Sequence, residues 1–145
     1  MSDRMILLVE DNPGDEALTL RTLKRNSIFH EVIVAHDGAE ALDFVFGNGS
    51  YAGRDTKIMP ELILLDLRLP KVDGLEVLQR LRADEMTKEI PVVVLTSSDA
   101  EIDLIQSYKL GANCYLRKAA RQLGVGWLIS SSLSAKNNGK DDHNN

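Results

Sequence analysis

Four short apolar runs along the chain each stop at a chemically active side chain, and the apolar positions between them recur at helical spacing. The runs are Met5–Val9 before Glu10-Asp11, residues 62–65 before Asp66, residues 92–95 before Thr96, and residues 114–117 before Lys118. Glu31–Ala35 reads as a further strand. Unbroken apolar strands fit burial on both faces, and strands that alternate with helices five times imply a parallel sheet with right-handed crossovers.

The first helix has a clear start signal: Asn12 can cap it, Pro13 suits its first position, and Asp15 and Glu16 favour its positive end. Ala17, Leu20 and Leu23 form its expected buried stripe. Ala41, Leu42, Val45 and Phe46 are spaced as the inner face of a second helix, and residues 47–60 read as a long loop, with 47–53 flexible. A turn through Leu69-Pro70 ends at Gly74, and Leu75, Leu78 and Leu81 follow at the spacing of a third helix. Ser98-Asp99-Ala100-Glu101 reads as a capping box for a fourth, lined by Leu104, Ile105 and Tyr108 and stopped at Gly111. A fifth helix carries Val125, Leu128, Ile129 and Leu133, but Gly124 and Gly126 disfavour its start by roughly 1 kcal/mol each. The polar run over 134–145 reads as a solvated, mobile tail, which leaves 4–133 as one domain.

Composition narrows the function classes. The 145 residues suit a single domain, and 43% apolar content is enough for a core. With 22 acidic against 17 basic residues the net charge is −5, so attraction to nucleic acid or an anionic membrane is not favoured. The single cysteine, Cys114, excludes an internal disulfide and fits a cytoplasmic chain. Met5–Val9 is too short for a signal-peptide core, and no run approaches the roughly 20 apolar residues that span a membrane.

In an open parallel sheet the crevice outside the strand carboxyl ends is the usual ligand site. Glu10, Asp11 and Asp66 would crowd three carboxylates there, an arrangement that a hard divalent cation relieves. Oxygen-only donors favour Mg²⁺ or Mn²⁺ over zinc, and His30, His36 and His143 show no metal-ligand spacing. A carboxylate beside such a cation is a competent nucleophile toward phosphorus. Lys118 could then pair with one phosphoryl oxygen while the Thr96 hydroxyl donates to another.

Over residues 4–118 the chain resembles a response-regulator receiver domain of two-component signalling. The segments that carry the resemblance are Ile6-Leu-Leu-Val-Glu-Asp11-Asn12, Asp66-Leu-Arg-Leu-Pro70 through Gly74, Val92 through Thr96-Ser-Ser98, and Gly111 through Tyr115-Leu-Arg-Lys118. The resemblance implies an α/β, doubly wound, five-stranded parallel sheet of flavodoxin-like type with strand order 2-1-3-4-5. It implies that Asp66 accepts a phosphoryl group from a sensor histidine kinase. Asp11, Asp66 and the backbone carbonyl of Arg68 would bind Mg²⁺, with Glu10 helping through water. Thr96 and Tyr115 would form the switch that responds to phosphorylation, while Arg68 and Ser98 sit where the family tunes phosphoryl lifetime. The output would be association with an unidentified downstream protein, and the face of the fourth helix and fifth strand would be a homodimer surface.

The long interval between Asp11 and Asp66 resembles the stand-alone receivers associated with phytochrome-type kinases. One departure concerns Ala119, which stands where the family usually has proline after the lysine. Because a non-proline cis bond costs about 2.5–4 kcal/mol against roughly 0.5–1 for proline, a trans Lys118-Ala119 bond and a short or displaced fifth helix are expected. The leading alternative is a receiver-like interaction module that works without phosphorylation, and the full set of acids, Thr96 and Lys118 argues against it. An Asp-nucleophile phosphatase would need an acid at Arg68, so no separate enzymatic activity is expected. A flavin domain would not place Glu10-Asp11 against a phosphate, and the glycines of 47–53 do not match a dinucleotide fingerprint.

Overall fold

The computed structural model describes residues 5–26, 31–67, 69, 71–96 and 114–117. Five parallel strands form its sheet: β1 (Met5–Val9), β2 (Glu31–Ala35), β3 (Leu62–Asp66), β4 (Val92–Thr96) and β5 (Cys114–Arg117). They lie in the order β2-β1-β3-β4-β5, as the resemblance implied. Three helices accompany them among the described residues, α1 (Pro13–Asn26), α2 (Gly38–Phe46) and α3 (Gly74–Ala83). The expected fourth and fifth helices, the Ser98 capping box, the Lys118-Ala119 bond and the polar tail lie outside the described residues.

The apolar runs sort by parity into two cores. Leu7, Val9, Ile63, Leu65, Val92 and Val94 pack with α2 and α3 on one face of the sheet. Ile6, Leu8, Leu62, Leu64, Val93 and Leu95 pack on the other with Leu20 and Leu23 of α1. The sheet is therefore wound on both faces, which is why its strands show no polar alternation. Each such side chain contributes roughly 1.5–3 kcal/mol on burial.

Helix ends follow the capping chemistry, but each buried stripe differs from the expected set at one residue. The Asp15 N–H donates to Asn12 Oδ1 at 2.9 Å, as the Asn12-Pro13 start signal predicts. Ala17, however, is exposed, and Thr19 turns inward with Leu20 and Leu23. Alanine buries too little surface to decide the rotation of α1, so the leucines set it. In α2 Phe44 is buried and Phe46 only half-buried, the reverse of the expected emphasis. Likewise Val77 is buried in α3 beside Leu78 and Leu81, while Leu75 is half-buried.

Residues 47–60 hold no strand or α-helix, as a long loop should, but they are tied back to α2. Gly47 ends α2 at φ 69° and a 3₁₀ turn follows at Gly49–Tyr51. Arg54 then ties the segment back to the helix. Its guanidinium donates to Phe44 O at 2.6 Å, Ile58 O at 2.7 Å, Asp55 O at 3.2 Å and Val45 O at 3.4 Å, and lies 4.1 Å from the Phe44 ring centroid. Burial pushes the Arg54 guanidinium below its ordinary value, with the Asp55 charge opposing. Charge-assisted hydrogen bonds from a partly buried guanidinium are expensive to lose. Arg54→Ala should lower the free energy of unfolding in urea by about 1–3 kcal/mol. An unchanged midpoint would show that the loop needs no such tie.

Tyr51 anchors the same segment. Its ring meets Phe44 edge to face at 5.2 Å between centroids, and its hydroxyl donates to Glu40 Oε2 at 2.9 Å. Burial, then the Glu40 hydrogen bond and the charges of Glu40 and Asp43, push the phenol above its ordinary value. A group raised in the folded state contributes stability that is present below its unfolded value and is lost as pH rises through its folded value. The melting temperature should therefore fall on the alkaline side, and Tyr51→Phe should flatten that limb. An identical alkaline limb in Tyr51→Phe would contradict this linkage.

Candidate functional site

Strand register brings the acids together. Val9 of β1 pairs with Leu65 of β3, so Glu10 stands level with Asp66 at the sheet edge. Both continue the alternation that runs Ile6, Leu8 on one strand and Leu62, Leu64 on the other. The Glu10 N–H extends the ladder by donating to Ala35 O at 2.9 Å, which holds the end of β1 in line before the chain turns into α1. Glu10, Asp11 and Asp66 each offer a carboxylate oxygen, and these lie within 4.8 Å of one another. Glu10 and Asp66 are buried and Asp11 is exposed.

The group opens to solvent through Asp11 alone, beside the first turn of α1. The Asn12 N–H approaches Glu10 Oε2 at 3.4 Å, and the Glu16 N–H donates to Asn12 O at 2.9 Å. A donor set made only of carboxylate oxygens fits a hard cation such as Mg²⁺ or Mn²⁺, which binds through few carboxylates and keeps waters of its own.

Asp66 leaves its strand into a turn built to a tight tolerance. Gly74 donates its N–H to Leu67 O at 3.0 Å and closes the turn at its base. A Cβ on Gly74 would lie 2.5 Å from Asp66 O and 2.5 Å from Leu67 Cα, so no larger residue fits there without moving the backbone of Asp66. Asp73 then caps α3, accepting the Glu76 N–H at 3.0 Å.

The other residues expected at the site divide into two groups. Thr96 ends β4, one position beyond the Leu95 that pairs with Asp66, and itself pairs with Arg117 of β5. Tyr115 pairs with Val94 in the same ladder. Arg68, Ser98 and Lys118 lie outside the described residues.

Two features beside the site carry no signal in the sequence. His36, which has no metal-ligand spacing, stands between two carboxylates. Its Nε2 lies 3.0 Å from Glu16 Oε1 of α1, and its backbone N–H donates to Glu40 Oε1 of α2 at 3.0 Å. Lys71 adopts φ 63°, the left-handed region that costs a side-chain-bearing residue roughly 1–2 kcal/mol. Lysine gives no hint of such a backbone, whereas glycine or asparagine would have done.

The profile of the response regulator receiver domain family matches residues 6–123. Response regulator Rcp1 of Synechocystis sp. is 47% identical over 116 residues, which are 80% of this chain and 77% of that protein. The Mn²⁺-bound form of Rcp1 superposes with a TM-score of 0.72 at 43% identity, covering 82% of this chain and 89% of that one. The bacteriophytochrome response regulator AtBRR does so with a TM-score of 0.76 at 52% identity, covering 81% and 84%. The phosphorylated cyanobacterial phytochrome response regulator RcpA gives 0.75 at 41% identity, covering 90% and 91%.

Proposed function

Because this chain belongs to the response-regulator receiver family, we propose that it takes a phosphoryl group from a sensor histidine kinase onto Asp66 and signals by phosphorylation-dependent association with another protein. The observation that carries this reading is the convergence of Glu10, Asp11 and Asp66 within 4.8 Å at the ends of two adjacent strands. One buried carboxylate flanked by two others is suited to act as a nucleophile beside a divalent cation. Likeness to the phytochrome response regulators supports a phytochrome-type kinase as the donor.

In the proposed transfer a carboxylate oxygen of Asp66 bonds to phosphorus as the phosphorus–nitrogen bond of the donor phosphohistidine breaks. The departing imidazole keeps the electron pair and takes up a proton. In the reverse direction of signalling a water oxygen attacks phosphorus, the acyl phosphate bond breaks, and inorganic phosphate leaves with the Asp66 carboxylate restored. Glu10, Asp11, Asp66 and the backbone carbonyl of Arg68 would hold Mg²⁺ or Mn²⁺. When bound, the cation offsets the charge that gathers on the phosphoryl oxygens. Lys118 would neutralise a further oxygen, and the Thr96 hydroxyl would donate to another and draw Tyr115 with it, altering the surface near β5. That surface is where an unidentified partner or a second copy of the chain would dock. Incubation with acetyl phosphate and Mg²⁺ should raise the intact mass by one phosphoryl group that is released again on standing. A parent protein that never gains it would reject the reading.

A further inference from the structure

The turn that leaves Asp66 rests on the start of α2, across a contact that only glycine permits. A Cβ on Gly38 would lie 1.7 Å from Val72 O and 2.6 Å from Val72 C. Both are backbone atoms, so no side-chain rotation could relieve the overlap. Immediately before Val72, Lys71 holds φ 63°, so the backbone is left-handed at the residue that delivers Val72 to the helix. Asp37, next to Gly38, works in both directions. Its Oδ1 accepts the Glu40 N–H at 2.7 Å and caps α2, while its Oδ2 lies 3.5 Å from Lys71 Nζ. The far side of the turn is closed by the Gly74 bond to Leu67.

We infer that Gly38 and the left-handed backbone of Lys71 are positioning residues for the chemistry at Asp66: they seat the segment that carries on from Asp66, one of the three carboxylates gathered at the candidate cation site. This rests on the proposed function. The Gly74 bond to Leu67 and the seat of Val72 on Gly38 tie the described residues after Asp66 at two points, so displacement at Val72 is passed through that bond toward Asp66. The two supports are unequal. The Lys71 side chain is 70% exposed, and an exposed ion pair is worth little, so the packing on Gly38 and the sign of φ at residue 71 carry the effect. Groups that orient metal ligands typically change affinity by about 10–100-fold when lost.

The test is Mn²⁺ affinity, followed by the resonance of free Mn²⁺, together with the rate of phosphorylation by acetyl phosphate and the metal-free melting temperature. Gly38→Ala should weaken Mn²⁺ binding and slow phosphorylation by about tenfold or more. Lys71→Pro cannot adopt positive φ and should do the same at an exposed position that leaves the core intact. Lys71→Gly keeps the backbone and loses only the ion pair, so it should stay within about fivefold of the parent. Gly53→Ala, whose added methyl meets nothing within 4 Å, should match the parent. If Gly38→Ala fails to fold, the contrast between the two Lys71 variants still decides. Lys71→Pro binding Mn²⁺ as the parent does would overturn the inference while leaving the proposed function standing. A parent that binds no Mn²⁺ and accepts no phosphoryl group would overturn both.

Discussion

Asp66→Asn is expected to lower phosphoryl incorporation from acetyl phosphate by about a thousandfold or more, as removal of a nucleophile does in enzymes that form covalent intermediates. Asparagine keeps the size and shape of the side chain but offers no anionic oxygen for attack on phosphorus. Asp66 is 1% exposed at the end of a fully buried strand, so the swap leaves volume and backbone register unchanged. A folded but unlabelled variant is the expected outcome, checked by circular dichroism alongside intact-mass measurement. Asp11→Asn provides the contrast, since it weakens the cation site and spares the nucleophile. Its labelling should be slow where that of Asp66→Asn is absent. Equal labelling of Asp66→Asn and parent would mean that the phosphoryl group lands elsewhere.

The second large effect is on stability. Two like charges 4.8 Å apart repel by about 0.9 kcal/mol in bulk water, and by about 3.5 kcal/mol at an effective dielectric constant near 20. A divalent cation attracts each carboxylate and so offsets their mutual repulsion. If only the folded chain binds it, Mg²⁺ at about 100 times its dissociation constant should add about 2.7 kcal/mol. Asp11→Asn should raise the melting temperature of the metal-free protein, because one source of repulsion is gone, and should remove most of the response to Mg²⁺. Melting curves of both proteins with and without Mg²⁺ check this. Equal responses would show that Asp11 takes no part in holding the cation.

The strands were legible because a parallel sheet buried on both faces demands unbroken apolar runs, and Met5–Val9 has nothing else to be. Legible too was the start of α1, because Asn12-Pro13 is a local signal that acts within a few residues. On α1 the spacing points to Ala17 where Thr19 is the buried residue, since helical period locates a face only approximately and the small alanine does not bind the choice. Phe44 and Phe46 are two apart on α2, and which of them turns inward depends on Tyr51 and Arg54 arriving from the next segment. No neighbour of Arg54 in the chain announces that its donors will reach the carbonyls of Phe44 and Val45.

The sequence by itself determined the class of the sheet and the list of acids at the strand ends, because both depend on residue type over a few consecutive positions. Strand order came with it only through resemblance to a family, since pairing between distant strands leaves no mark in either. Tertiary structure decided that Glu10 stands level with Asp66, through the pairing of Val9 with Leu65 across some fifty residues of intervening chain. It also decided that Val72 rests on Gly38 and that Lys71 beside it turns left-handed. Such contacts follow from where two rigid elements come to rest against each other, and a backbone held there by packing overrides what lysine would choose alone.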